Sequence, residues 1–380
     1  MRWRRSAEEG KLNSLRCVLC QFFAGAYIPA SLPNTITSPC AIRCRLPAPK
    51  SDQLDENLSI NPQHVGQERL SSIEKITTGL GAHDYVATAR IATAVYLAHH
   101  LEKPILVEGP AGVGKTELAK TAAAYLELPL TRLQCYEGLD ESKALYEWKY
   151  AKQLLYTQVL KDHMGELLTG APTLEQSLER LHGFDDLFFS ERFLEPRPLL
   201  RALQQPEGGV LLIDEVDKSD EEFEAFLLEI LSDFQVTIPE IGTIEAGIRP
   251  LVFLTSNGTR EMSDALKRRC LHLFIPFPDR ALEARIVSAR LPQVPGQLNE
   301  QLVSFVHGLR GLDLRKYPSI AETIDWAKTL MLMHAGELGA DLVRDTLNVL
   351  LKFEDDIGIA EKQLAHLLAA ARQPYALRSA

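Results

Sequence analysis

Short aliphatic runs alternate with amphipathic stretches through the middle of the chain, and only amphipathic stretches follow. Ile105-Leu106-Val107, Leu130 to Cys135, Gly209 to Ile213, Pro250 to Thr255 and Leu271 to Phe274 read as strands. Their continuous apolar character predicts a parallel sheet covered on both faces. Between them, Thr116 to Leu126, Glu221 to Phe234 and Glu261 to Arg269 read as helices; the second aligns Phe223, Phe226, Leu227, Ile230 and Leu231 on one face. Ser71 to Gly79 and Tyr85 to His100 are helical ahead of the first strand, the latter with Tyr85, Ala89, Ala92, Tyr96 and His99 three or four apart. Gln235 to Ile238 and Gly242 to Glu245 read as a hairpin around Pro239. Beyond Pro278 the strand signal stops, and Arg280 to Leu291, Glu300 to Leu309, Ile320 to His334, Asp341 to Phe353 and Ile359 to Arg372 read as helices. The pattern predicts an α/β core over 64–279, an all-α domain over 280–380 and an extension over 1–63.

The stretch between the second and third strands is longer than a simple strand–helix–strand unit requires, so an insertion is expected at about 137–200. It carries Tyr146, Trp148, Tyr150 and Tyr156, a helical pattern from Leu174 to Leu181, and an apolar cluster of Phe184, Leu187, Phe188, Phe189 and Phe193. Two readings stand: a small core internal to the insertion, preferred for most of these residues, or an exposed surface that grips a partner.

The chemistry begins at Gly109-Pro110-Ala111-Gly112-Val113-Gly114-Lys115-Thr116, which satisfies G-x-x-x-x-G-K-[ST] at every fixed position and sits between a strand and a helix. Glycines let backbone N–H groups converge on phosphate oxygens at the positive end of that helix. Lys115 is expected on the β- and γ-phosphates of ATP and the Thr116 hydroxyl on Mg²⁺. Asp214-Glu215, closing four aliphatics 98 residues past Thr116, lies where open α/β sheets bind ligands. There Asp214 would hold Mg²⁺, directly or through water, and Glu215 would polarise an attacking water. Asn257, at the end of the next strand, is placed to orient that water or touch the γ-phosphate. Arg268 and Arg269, just before the last strand, either pair with the acidic surface or project across a subunit boundary as an arginine finger.

Charge narrows the partners. The net charge of −10 divides into +6 over residues 1–50, with eight Lys/Arg and two Asp/Glu, and −16 over the remainder. An acidic body argues against broad nucleic-acid binding, which depends on neutralising phosphates. No run of 18 apolar residues occurs, so no membrane span is expected. Cys135 and Cys270 stand alone in the body, which fits a reducing cytoplasm. Cys17, Cys20, Cys40 and Cys44 have loosely zinc-like spacing, and the apolar run after Arg2, Arg4 and Arg5 imitates a secretory signal. Pro29, Pro33, Pro39, Pro47 and Pro49 break the segment, and Glu8 and Glu9 interrupt its basic region. A disordered extension, or sequence upstream of the true start, is the expectation for it.

Phosphate loop, Asp-Glu strand end, Asn-ended strand, trailing arginine pair and helical C-terminal domain, in that order over roughly 64–372, resemble the AAA+ ATPases. The long insertion, the hairpin and Leu254-Thr255-Ser256-Asn257-Gly258-Thr259-Arg260-Glu261 look like the MoxR branch. Gln134-Cys135-Tyr136-Glu137-Gly138 with Tyr146-Glu147-Trp148 resembles its subgroup associated with maturation of carbon monoxide dehydrogenase-type molybdenum hydroxylases. The resemblance implies an AAA+ P-loop core with a helical lid and a homo-oligomeric ring, usually a hexamer, with ATP between subunits. It implies Asn257 as sensor 1 and Arg268 or Arg269 as the finger. Family members often carry a sensor 2 arginine where this chain reads Pro318-Ser319-Ile320-Ala321-Glu322, and Arg315 or Lys316 are the nearest substitutes. The expected function is an ATP-hydrolysing chaperone that remodels a client protein such as a metalloenzyme, with a von Willebrand A-domain partner. A nucleotide-gated scaffold with little turnover and a DNA-acting motor are the alternatives.

Overall fold

Five strands form one parallel sheet, in the order Leu130–Gln134, Val210–Asp214, Leu251–Ser256, Ile105–Glu108, Leu271–Phe274. The computed structural model describes residues 68–167 and 190–373; the zinc-like cysteines, the Leu174 to Leu181 helix and Phe184 to Phe189 lie outside them. The strands are β1 (Ile105–Glu108), β2 (Leu130–Gln134), β5 (Val210–Asp214), β8 (Leu251–Ser256) and β9 (Leu271–Phe274). Every residue of β5 and β8 is buried, the apolar run of each and also the polar Asp214, Thr255 and Ser256 at their carboxyl ends. Side chains alternate between faces along each strand. Leu106, Leu133, Leu211, Ile213, Val252 and Leu254 enter one apolar core, while Ile105, Val107, Val210, Leu212, Leu251 and Phe253 enter the other. A fully buried Leu or Phe contributes roughly 1.5–3 kcal/mol, so the two cores fix the register that brings the carboxyl ends of β1, β5 and β8 level.

The second core is covered by helices α1 (Ile73–Ala82), α2 (Ala89–Leu101) and α3 (Lys115–Leu126). Each of the first two starts on a hydroxyl cap, Ser72 accepting from the Lys75 amide and Thr88 from the Ile91 amide. The insertion comprises α4 (Glu141–Ala144), β3 (Tyr146–Trp148), α5 (Tyr150–Leu167), β4 (Leu194–Pro196) and α6 (Pro198–Leu203), and α4, β3, β4 and α6 place side chains in the other core. Strands β3 and β4 pair antiparallel, so the insertion returns to its own starting point. Its aromatics divide, and the buried ones join the core shared with the sheet rather than one internal to the insertion. Trp148 and Phe193 are buried in the core, whereas Tyr150 and Tyr156 are exposed together with Leu154, Leu155 and Val159 along α5. Helix α7 (Glu221–Asp233), capped by Asp220, leads into the predicted hairpin of β6 (Gln235–Ile238) and β7 (Gly242–Glu245), and α8 (Asp264–Arg269) precedes β9.

The C-terminal helices are α9 (Arg280–Arg290), α10 (Gly296–Arg310), α11 (Ile320–Leu332), α12 (Ala340–Leu350), α13 (Glu354–Lys362) and α14 (Leu364–Arg372). The helix expected over Ile359 to Arg372 is two helices. The chain turns at Gln363, whose amide donates back to Ala360. The turn lets Leu364, Leu367 and Leu368 pack into the core while α13 continues back to Glu354. Gly308 makes room for this, since a Cβ there would lie 2.7 Å from Leu367 Cδ2. Trp326 and Phe305 are fully buried at the centre with ring centroids 5.4 Å apart, and the Trp326 indole donates to Thr346 Oγ1 at 2.9 Å. Among the described residues no helix is long and apolar enough to cross a membrane.

Candidate active site

The phosphate-loop segment turns from β1 into α3 through three glycines with positive φ: 150° at Gly109, 73° at Gly112 and 96° at Gly114. Two of them are also pressed by neighbours. A Cβ on Gly109 would stand 2.1 Å from the Ile275 carbonyl oxygen, and one on Gly112 would stand 2.4 Å from Ser319 Oγ of α11. Gly114 occupies the N-cap of α3 without a side chain to satisfy the first-turn amides. An uncapped, glycine-lined helix start is a receptor for an oxyanion.

Lys115 folds across this loop. Its ammonium donates to Gly109 O at 2.6 Å, Pro110 O at 2.7 Å and Asn257 Oδ1 at 2.8 Å. Burial pulls its pKa below the ordinary lysine value, against the pull of Asp217, Asp214 and Glu215 in the other direction. Carbonyls are exchangeable partners for such a cation; phosphate oxygens offer it formal charge as well.

Asp214 is buried at the end of β5, which forces its carboxylate to be satisfied within the protein. Oδ1 accepts from the Thr116 hydroxyl at 2.8 Å and the Thr255 hydroxyl at 2.6 Å, and Oδ2 accepts from Arg132 Nη2 at 2.5 Å. A carboxylate and a hydroxyl already joined are the hard oxygen donors that Mg²⁺ takes. The residues present fit that ion. Among the described residues no cluster of three or more His, Cys, Asp and Glu could hold a metal by itself, so its remaining ligands would have to be phosphate and water.

Glu215 has φ of 57°, a left-handed backbone that turns the chain out of the strand. Its amide donates to Thr255 Oγ1 at 2.9 Å. Its carboxylate accepts from Lys218 at 2.6 Å, Gln134 Nε2 at 2.9 Å and Asn257 Nδ2 at 3.3 Å. Asn257 therefore bridges Lys115 and Glu215, and its own amide donates to Asp217 Oδ2 at 3.2 Å. Burial pushes the Asp217 carboxyl up, but bonds from the Thr259 hydroxyl and the Thr259 and Asn257 amides outweigh it and hold the group below the ordinary Asp range. Asp217 thus anchors the turn that presents Asn257.

Gly109 to Thr116, Asp214, Glu215 and Asn257 come together in one network at the carboxyl ends of β1, β5 and β8. Arg268 and Arg269 are exposed at the end of α8, outside that network. Arg269 Nε donates to Ser232 Oγ at 2.6 Å, while Arg268 has no hydrogen bond or ion pair among the described residues. The sensor 2 substitutes are engaged elsewhere. Arg315 lies 4.1 Å over the Phe353 ring, Lys316 pairs with Glu322, and both backbone amides donate to Asp356. In place of either, Arg290 and Lys328 line a cleft of about 720 Å³ between the glycine loop and the C-terminal helices. Tyr85, Val113, Ile275, Phe277 and Ile320 make its apolar walls, and Arg290 Nη2 donates to Glu117 Oε1 at 2.7 Å. A cleft of that volume with an apolar floor suits a nucleobase.

Sequence reading missed Arg132, Gln134, Thr255, Asp217 and Lys218. The signal was polarity out of place: Arg132 and Gln134 in a short strand, and Thr255 at a fully buried position. A buried hydroxyl at a strand end needs a partner, and Asp214 supplies it.

Comparison with known proteins agrees with this geometry. Residues 104–270 match the family model described as AAA domain (dynein-related subfamily). An uncharacterized protein of Staphylococcus epidermidis is 25% identical over 217 residues, covering 55% of this chain and 69% of that protein. One from Staphylococcus haemolyticus is 26% identical over 218 residues, covering 56% and 70%. Solved structures similar to the chain include the Thermotoga maritima RuvB Holliday junction branch migration motor, at 18% identity and TM-score 0.38, covering 69% of this chain and 67% of that one. A point mutant of the same RuvB aligns at 18% identity and TM-score 0.40, covering 75% and 72%. The chain has the AAA+ P-loop NTPase fold, a parallel five-stranded sheet with flanking helices continued by a helical C-terminal region.

Proposed function

We propose that this chain hydrolyses ATP and uses the cycle, as a member of a homo-oligomeric ring, to remodel a client protein. The observation that carries the hydrolytic reading is Asn257, which joins the cation of the glycine loop to the carboxylate beside Asp214. In this reading Lys115 and the loop amides bind the triphosphate, and Thr116 and Asp214 hold Mg²⁺, which when bound neutralises charge on the phosphates. Glu215 takes the proton of the attacking water, with Asn257 positioning both. The helical region serves as the lid that closes the cleft on the base.

Arg268 is the finger in this reading, because it is exposed and has no hydrogen bond or ion pair among the described residues, whereas Arg269 is tied to Ser232. Such a residue completes charge stabilisation only in a neighbour's site, which supports a ring and, on the MoxR resemblance, a hexamer. The exposed apolar side chains of α5, Tyr150, Leu154, Leu155 and Val159, support a protein client. The MoxR resemblance extends this to maturation of a metalloenzyme and to a von Willebrand A-domain partner, in the cytoplasm.

The test is subunit complementation. R268A and E215Q should each be inactive alone. Mixed, they should recover part of the turnover, because some interfaces then hold an intact Glu215 facing an intact Arg268. No recovery from a mixture shown to co-assemble would contradict the shared site.

A further inference from the structure

Arg132 stands on the edge strand β2, and its guanidinium occupies the outward oxygen of Asp214, Nη2 lying 2.5 Å from Oδ2. The same nitrogen donates to Gln134 Oε1 at 2.6 Å, and the Gln134 amide nitrogen donates onward to Glu215 Oε2 at 2.9 Å. One side chain therefore touches both of the carboxylates that a hydrolytic site would need, Asp214 directly and Glu215 through one amide.

Asp214 is only 2% exposed and cannot be left with a bare charge. Its inner oxygen is already taken by two hydroxyls, which leaves Oδ2 for a cation. A divalent ion and a guanidinium cannot both sit within bonding distance of that oxygen without strong like-charge repulsion in a half-buried setting. Arg132 has somewhere to go. Its side chain is 46% exposed, and among the described residues no further strand pairs with β2 on its outer side.

We propose that Arg132 is a placeholder cation: it satisfies Asp214 until Mg²⁺ arrives, and the ion displaces it. Arg132 is in this sense a positioning residue, setting when the metal carboxylate becomes available. The inference rests on the reading of Asp214 as the metal carboxylate.

The test measures Mn²⁺ binding to the full chain by electron paramagnetic resonance of the free ion. Wild type, R132Q and R132K are compared at saturating non-hydrolysable ATP analogue. R132Q is expected to bind Mn²⁺ several-fold more tightly than wild type, and R132K, which keeps a charge, to stay close to wild type. Without metal or nucleotide, R132Q should melt below wild type, and Mn²⁺ with the analogue should close that gap. Unchanged or weaker Mn²⁺ affinity in R132Q, with wild type binding normally, overturns the placeholder role alone. Failure of wild type to bind Mn²⁺ with the analogue overturns the metal site itself, and the placeholder with it.

Discussion

The Lys115 ammonium donates to Asn257 Oδ1 at 2.8 Å, a contact between residues 142 positions apart in the sequence. It joins the end of β8 to the start of α3, and because Asn257 Nδ2 reaches Glu215, one amide senses both halves of the site. N257A should therefore leave nucleotide affinity within a few-fold of wild type and lower kcat by about 100-fold, the usual cost of one preorganised polar contact. Steady-state ATPase rates beside equilibrium nucleotide binding check this. Equal losses in affinity and rate would point to a purely binding role.

A second relationship holds the helical region together. Glu283 is fully buried and accepts from Arg310 at 2.6 and 2.9 Å and from Thr323 at 2.9 Å, and His307 Nε2 lies 2.9 Å from its Oε2. Arg310 also donates to Pro318 O, fixing the turn before α11. E283Q should destabilise the protein by about 3–5 kcal/mol, the range for breaking a buried pair by removing one partner.

The same carboxylate gives a pH dependence. Burial pushes the Glu283 carboxyl up, while hydrogen bonds from His307, Arg310 and Thr323 outweigh it and hold the folded pKa below the ordinary 4.5. The unfolded chain then binds the proton more readily, so the contribution is complete above about 4.5 and is lost as pH falls through the depressed folded value. Denaturant titrations of wild type and E283Q should show a constant difference at neutral pH that narrows below pH 4.5.

Gly112 and Ser319 provide the contact between the glycine loop and α11. With φ of 73° and a would-be Cβ 2.4 Å from Ser319 Oγ and 2.5 Å from its Cβ, G112A is strained in two ways. It should weaken nucleotide binding, and the loss should be smaller in an S319G background, which removes the clash but keeps the φ strain. A double-mutant cycle on nucleotide affinity reads the difference; strict additivity would place the two residues out of contact.

How much of this was legible in the sequence follows from what each residue does locally. The glycine loop, Asp214-Glu215 and the five strands announce themselves because their sequence and their structure share one short stretch. Arg132, Thr255 and Asp217 do not, because their roles exist only once β2, β5 and β8 lie side by side. Arg290 is another such residue: its partner Glu117 is 173 positions away. The break at Gln363 was hidden because the residues on both sides favour helix, and tertiary packing of Leu364 and Leu367 decides it. The split among the insertion's aromatics was equally invisible, since Trp148 and Tyr150 differ in burial by the pairing of β3 with β4.

The central claim is that these residues form a hydrolytic site for ATP, and the pair E215Q and K115A tests it most directly. Nucleotide binding and steady-state hydrolysis are measured on the same preparations at ring-forming concentration. E215Q should bind ATP about as well as wild type and lose about 100-fold or more of its turnover, as removal of a general base does. K115A should lose binding itself. Normal hydrolysis by E215Q, or undiminished ATP binding by K115A, would contradict the assignment.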